Sequence, residues 1–375
     1  MTTISIGRLE GHLDDSLTWV VDLLVQHLDA DPDYSFQVAA YRDGEPVLDL
    51  WAGPRLRQDS LMVPYSVSKN TIGFTIGLLL ERAEIDLDER VAAYWPEFAD
   101  KGKEEVTVRQ LLSHQAGLAR ATPPLTVDEL LDHHAGAARL AASRPQWHPG
   151  SAFGYHAQTI GNLGDELVFR VTGKTLHEVY EEEIRSPFGL EFHLGLPPEL
   201  EDRRVPLLPM VRPPSAEDPP RWAPYASGIG LADAEGFDYG NDERSWRFGH
   251  PAGSATASAR GIAGLFAAGV TGLGGKPPFL SPDTVEQIGQ QQVRGYDNVL
   301  GLDGRAHSIV FQHHSAQLDW GGPNSFGHDG AFGCVGTVDP DTGLAFGYIV
   351  AEAPWPGGAD PRAIELAREL NRRAG

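Results

Sequence analysis

Cysteine is almost missing from this chain: its 375 residues include one, Cys334. A lone thiol closes no internal disulfide, so the fold must be held by its own core, and a reducing compartment suits it. Lysine is nearly as scarce. Lys69, Lys101, Lys103, Lys174 and Lys276 are the only five, and with arginine they supply 30 positive charges against 52 carboxylates. The resulting charge of −22 argues against nucleic acid or an anionic membrane as a partner, because either would repel a uniformly acidic chain.

Long apolar runs are also missing. The run Ile72 to Leu80 falls well short of the roughly 20 residues a bilayer requires, and Glu81 and Arg82 follow at once. It reads as a buried helix. The N-terminus shows neither a basic start before an apolar stretch nor a small-residue cleavage site, so a cytoplasmic location is expected. No H-E-x-x-H or cysteine cluster is present, and the adjacent pairs His133-His134 and His313-His314 point apart in regular structure, so no metal is expected. Gly228-Ile-Gly230 lacks the rest of a dinucleotide fingerprint, and no cofactor is implied. G-x-S-x-G is absent, which counts against an α/β-hydrolase. Cys334 has no identifiable partner base and reads as a packed small residue.

What is present is a globular composition, 41% apolar, long enough for a substantial core. Ser16 to Leu28 carries apolar residues at helical spacing, with Ser16 or Asp15 as its cap. Ser35–Arg42 and Pro46–Trp51 flank Asp43-Gly44-Glu45, a hairpin signal. Cys334–Val338 and Leu344–Ala351 flank Asp339-Pro340-Asp341-Thr342-Gly343, a second one. Asp360-Pro361 opens a last helix running to about Arg373. Strands and helices from both ends can therefore share one antiparallel sheet, and the middle of the chain forms a helix-rich insertion. The expectation is a single α+β unit over 1–375. Residues 1–65 and about 300–375 make its α/β part, and about 66–299 its mainly helical part, with a proline-rich loop at 196–224.

Chemistry first shows at Tyr65-Ser66-Val67-Ser68-Lys69. At helical spacing Ser66 and Lys69 lie one turn apart on one face, so the amine can reach the hydroxyl. Ser66 also falls at a helix N-terminus, where backbone N–H groups and the dipole favour developing negative charge. A serine hydroxyl attacks poorly until a neighbour removes its proton, and a lysine desolvated enough to lower its pKa can do so. A lysine opening an otherwise apolar helix is odd by composition, since unpaired lysine is almost never fully buried.

With that motif the chain resembles the serine β-lactamase and penicillin-binding-protein superfamily, in its class C-like branch containing the family VIII carboxylesterases. The resemblance covers most of the chain. It rests on Tyr-Ser-Val-Ser-Lys at 65–69, the stretch Glu84 to Phe98, Leu111-Leu-Ser-His-Gln-Ala-Gly-Leu118, Trp147-His-Pro-Gly-Ser-Ala-Phe-Gly-Tyr155 and Phe326-Gly-His-Asp-Gly-Ala331. It implies a β-lactamase/transpeptidase-like fold and a Ser66 nucleophile, with Tyr155 as proton shuttle beside Lys69. An adjacent ammonium would stabilise a phenolate there, and either Tyr155 or Lys69 can take the serine proton. Of the family's Y-x-N motif, Tyr155-His156-Ala157 keeps only the tyrosine. His328-Asp329-Gly330 stands where lactamases carry K-T-G. There the resemblance places His328 and Gly330 at the substrate and the N–H of Ala331 beside that of Ser66 as an oxyanion hole. Phe332, where relatives commonly have glycine, would narrow the acyl pocket, while His114 and Gln115 lie in a structural loop of the family.

The function so implied is cleavage of small carboxylic esters through an acyl-enzyme on Ser66, without cofactor, nucleic acid or membrane. Natural-product acyl transfer, β-lactam hydrolysis and D-amino-acid peptidase activity would use the same residues, and a non-catalytic ligand sensor on this fold fits the intact motif least.

Overall fold

The computed structural model describes residues 1–210, 231–232 and 238–374. The remainder of the proline-rich stretch beyond Met210, and Gly228-Ile-Gly230, lie outside the described residues.

Strands β1 (Thr2–Ile6), β2 (Leu9–Leu13), β3 (Phe36–Arg42) and β4 (Glu45–Ala52) come from the start of the chain. Two short strands, β5 (Phe192–His193) and β6 (Thr256–Ala257), pair with each other in the helical region. The late strands are β7 (Val293–Asp297), β8 (Leu302–His307), β9 (Gln312–His313), β10 (Phe326–Asp329), β11 (Phe332–Gly333), β12 (Val335–Asp339), β13 (Leu344–Val350) and β14 (Gly358–Ala359). Ten of them form one antiparallel sheet in the order β1-β2-β4-β3-β13-β12-β10-β9-β8-β7. The two ends of the chain meet where β3 pairs with β13, Phe36 facing Val350 and Arg42 facing Leu344. The α+β sheet built from both ends is thus the observed fold, and it reaches back to Val293.

Alternation along β13 shows why the sheet is covered on both faces. Phe346, Tyr348 and Val350 pack with Val20, Leu24, Leu366 and Leu370 of the terminal helices, Thr18–Ala30 and Pro361–Ala374. Ala345 and Ile349 point the other way, into a larger core with Ile262 and Phe266 of the helix Ala259–Val270 and with the helix Lys69–Glu81. The helix expected from Ser16 begins at Thr18. A 3-10 turn at Asp15–Leu17 precedes it, and the cap is Asp14, whose carboxylate accepts the N–H of Ser16. The tight turn consumes the residues that looked like caps. Among the described residues no helix is long and apolar enough to cross a membrane.

Candidate active site

Ser66 lies in a 3-10 turn, Tyr65–Ser68, that runs directly into the helix Lys69–Glu81. Every residue of that helix from Lys69 to Leu79 is buried, so the lysine side chain has no route to water. Burial drives the Lys69 ammonium well below its ordinary pKa, and the opposing pull of the Asp329 carboxylate is smaller. Lys69 Nζ lies 3.1 Å from Ser66 Oγ and donates to the Ala252 carbonyl at 2.6 Å. Tyr65, immediately before the serine, has φ +50°, a left-handed backbone that a bulky residue keeps only where its surroundings impose it. Its ring stacks on Phe332 at 4.6 Å and 12°, which fixes the turn from outside.

Tyr155 reaches the same oxygen from a separate loop, its hydroxyl donating to Ser66 Oγ at 2.7 Å. Burial pushes its phenol far above the usual range, and the hydrogen bond to Ser66 offsets only part of that. With both groups out of water the uncharged form of each is favoured, a neutral amine beside a neutral phenol.

The tyrosine loop is sewn to its neighbour by two histidines. His114 Nδ1 accepts the N–H of His156 at 3.1 Å, and the His114 ring stands edge-on to Tyr155 at 5.3 Å. His156 donates from Nδ1 to the Gly154 carbonyl at 2.7 Å and accepts the N–H of Leu118 on Nε2 at 2.8 Å. Burial lowers His156 to about 4 and His114 well below its usual value, which keeps both neutral as acceptors. Gln115 turns to Ser113 Oγ at 2.7 Å. These residues support the loop.

His328 is buried and donates from Nδ1 to the Asp329 carbonyl at 2.7 Å, leaving Nε2 bare and 3.5 Å from the Tyr155 hydroxyl. Burial and the nearby Lys69 hold it well below its usual pKa, so it carries no charge at neutral pH. Gly330 serves a close approach: a Cβ there would stand 2.3 Å from the Pro64 carbonyl oxygen, two residues before the nucleophile. Its N–H donates to the Cys334 carbonyl at 2.8 Å, which places Ala331 at the end of β10. The Cys334 thiol is itself buried and pushed up to about 12, as a packed residue should be.

Three contributors carry no motif. One is the Ala252 carbonyl on Lys69. Another is Asp297 at the end of β7, which accepts the N–H of Tyr155. The third is Arg305 on β8, two residues from His307 and so on the same face of the strand. The His307 ring lies nearly parallel to that of Tyr155, 6.0 Å away and tilted by 14°. The charge of Arg305 acts on both Tyr155 and His328, yet the residue is 8% exposed and its side chain makes no ion pair or hydrogen bond among the described residues. An arginine two residues from a histidine in a strand gives no signal in sequence.

A sheet built from both chain ends, with a serine, a buried lysine and a tyrosine meeting beside β10, is the architecture of the β-lactamase and penicillin-binding-protein superfamily. Residues 24–369 match the Beta-lactamase family model. The chain is 31% identical over 347 residues to the esterase/beta-lactamase LipL of Mycobacterium tuberculosis, a match covering 83% of this chain and 76% of that protein. The structure of EstA from Arthrobacter nitroguajacolicus Rue61a superposes with a TM-score of 0.89 and 38% identity, over 100% of this chain and 99% of that one. A family VIII carboxylesterase follows at 0.87 and 30%, over 98% and 100%. The chain belongs to the beta-lactamase family.

Proposed function

We propose that this protein is a carboxylic ester hydrolase working through an acyl-enzyme on Ser66. The observation that carries the reading is the meeting of two proton-handling groups at one oxygen: Lys69 Nζ at 3.1 Å and the Tyr155 hydroxyl at 2.7 Å from Ser66 Oγ. Relatives named as esterases, LipL and the family VIII carboxylesterase, support an ester as the substrate.

Ser66 Oγ attacks the ester carbonyl carbon while its proton passes to the neutral Lys69 amine. The oxyanion is held by the N–H groups of Ser66 and Ala331. Collapse of the tetrahedral intermediate breaks the bond to the alcohol oxygen. Tyr155 gives that oxygen its proton and is reprotonated from Lys69. Water then adds to the acyl carbonyl, Lys69 takes its proton, and Ser66 leaves with one returned through the same pair.

Arg305 adds a feature to the substrate. A buried guanidinium without a partner is costly, and an anionic group on the bound ester would neutralise it. The same residue favours a second reading, hydrolysis of β-lactams, whose carboxylate needs a cation that neutral His328 does not supply. Labelling with a fluorophosphonate probe tests the central claim. Mass spectrometry should place the adduct on Ser66, and an adduct on another serine, or none on folded protein, would sink it.

A further inference from the structure

Away from Ser66, donors from three separate stretches converge. His133 follows the helical turn Val127–Leu130, Asp165 lies on the helix Thr159–Thr172, and His177 is on the turn of helix Leu176–Tyr180. One donor atom from each lies within 4.8 Å of the others. The Nε2 of His177 faces two carbonyls, Phe248 at 3.1 Å and Gly249 at 3.0 Å. Carbonyls only accept, so Nε2 holds the ring proton and Nδ1 keeps a bare lone pair. That Nδ1 is buried and has no hydrogen-bond partner. Asp165 is braced in a similar way: Oδ1 accepts the N–H of Leu176 at 2.7 Å, and Oδ2 meets His133 Nδ1 at 2.6 Å. One ring nitrogen tied to a carbonyl and the other left open is how metal-binding histidines are oriented.

We propose that His133, Asp165 and His177 form a binding site for one divalent ion of the zinc type, completed by water. Two imidazoles and one carboxylate suit zinc, whereas calcium and magnesium prefer oxygen donors throughout. The His133 side chain is 33% exposed, which gives the ion a way in, while the Asp165 side chain is 4% exposed and anchors it. At Zn–ligand distances of about 2.0–2.1 Å, two tetrahedral donors stand about 3.3 Å apart. Loading therefore replaces the His133–Asp165 hydrogen bond and opens it by less than about 1 Å. A neutral His133 moves the displaced proton to its other ring nitrogen, and a charged one releases it to solvent. These ligands are 32 and 12 residues apart and share no motif, so no metal is legible in the sequence; only the folding of the helical region joins them. Through His177 the ion would also brace the carbonyls at 248–249, just ahead of the Ala252 carbonyl that receives Lys69.

Tag-free protein stripped with chelator and titrated with zinc chloride tests the site by calorimetry, metal analysis and thermal melting. One ion per chain, micromolar or tighter, with Tm raised by several degrees, is expected. His177→Phe and His133→Ala should each weaken binding at least 30-fold, and His148→Ala, an exposed histidine elsewhere, should leave it unchanged. Absence of stoichiometric binding, or equal binding by the two variants, overturns the proposal. If His177→Phe does not fold, His133→Ala, whose ring is at the surface, decides alone.

Discussion

Asp297 receives the backbone N–H of Tyr155 on both carboxylate oxygens, at 3.1 Å each. The same carboxylate accepts the N–H groups of Val299 and Leu300 at 2.8 Å and stands 3.6 Å from His307 Nε2, where both side chains are fully buried. One side chain at the end of β7 therefore sets the position of the tyrosine. Burial alone would raise its pKa, but His307 and the backbone donors outweigh burial and hold it below the usual carboxylate value. It stays ionised, as an acceptor of three N–H groups must.

Asp297→Asn puts an amide N–H where only acceptors are useful, so part of this anchor turns repulsive. The expected result is a fall in kcat of roughly 10-fold or more with KM little changed, since a displaced Tyr155 harms proton transfer more than binding. The melting temperature should also drop by several degrees. Steady-state kinetics on a nitrophenyl ester, beside a melting curve, checks both, and a folded variant with wild-type kcat would show that Tyr155 does not depend on this contact.

The hairpins, the terminal helices and the pair Ser66 and Lys69 are legible in the sequence because turn chemistry, periodicity and the S-x-x-K spacing are local, whereas Tyr155, 89 residues away, enters only through the family resemblance. Asp297, Arg305 and Ala252 are not, since strand pairing and packing bring them to the site from 186 to 239 residues beyond Ser66. The protonation of Tyr155 is not legible for a related reason: it depends on how much water reaches the phenol and on whether Lys69 is charged, and both are properties of the packed core. Ser68 shows the same limit. It points away from the cleft, but its Oγ accepts the N–H of Ala255 at 3.2 Å and so helps hold the turn that presents the Ala252 carbonyl.

The depressed pKa of Lys69 makes two predictions of definite sign. In the mechanism proposed above ester hydrolysis needs the neutral amine, so kcat/KM should rise with pH along a limb whose midpoint lies well below the usual lysine value, and that limb should vanish in Lys69→Met. For stability, the folded chain binds fewer protons at Lys69 than the unfolded chain below about pH 10.4, so this residue destabilises the fold increasingly as pH falls through that range. Lys69→Met should accordingly melt higher than wild type at pH 6, with the gap narrowing toward pH 10. A variant less stable than wild type at pH 6, or a gap that widens with pH, would contradict the assignment of a desolvated amine.

Gly330→Ala places a methyl group 2.3 Å from the Pro64 carbonyl, and neither partner is a flexible side-chain end. The end of β10 must then move away from the turn that carries Ser66, separating the two oxyanion N–H groups proposed above. Loss of one such donor costs about 100- to 1,000-fold in kcat, so a fall of that order with fluorophosphonate labelling slowed in parallel is expected. The same substitution at Gly274, exposed and with nothing near its would-be Cβ, bears the strain of a positive φ without touching the site. Equal activity losses in the two variants would point to general destabilisation rather than to the oxyanion hole.

The last prediction concerns what Arg305 binds. Its guanidinium lies near Tyr155 and His328, has no hydrogen-bond or ion-pair partner among the described residues, and shares a strand face with His307, so an anionic substituent on the substrate has a cation to meet. Nitrophenyl esters of a dicarboxylic acid, such as the hemisuccinate, should therefore be hydrolysed with higher kcat/KM than the butyrate of similar size. A charge-assisted hydrogen bond in a half-buried site contributes about 1.5–3 kcal/mol, which corresponds to roughly 10- to 150-fold. Arg305→Met should erase that preference through KM while leaving butyrate turnover nearly unchanged. Nitrocefin, which also carries a carboxylate, separates the two readings of the site: slow turnover beside fast hemisuccinate cleavage assigns Arg305 to anionic esters, and comparable kcat/KM for both makes the protein a lactamase as well. If wild type and Arg305→Met show the same ratio of hemisuccinate to butyrate activity, the arginine does not face the substrate and its burial requires another explanation.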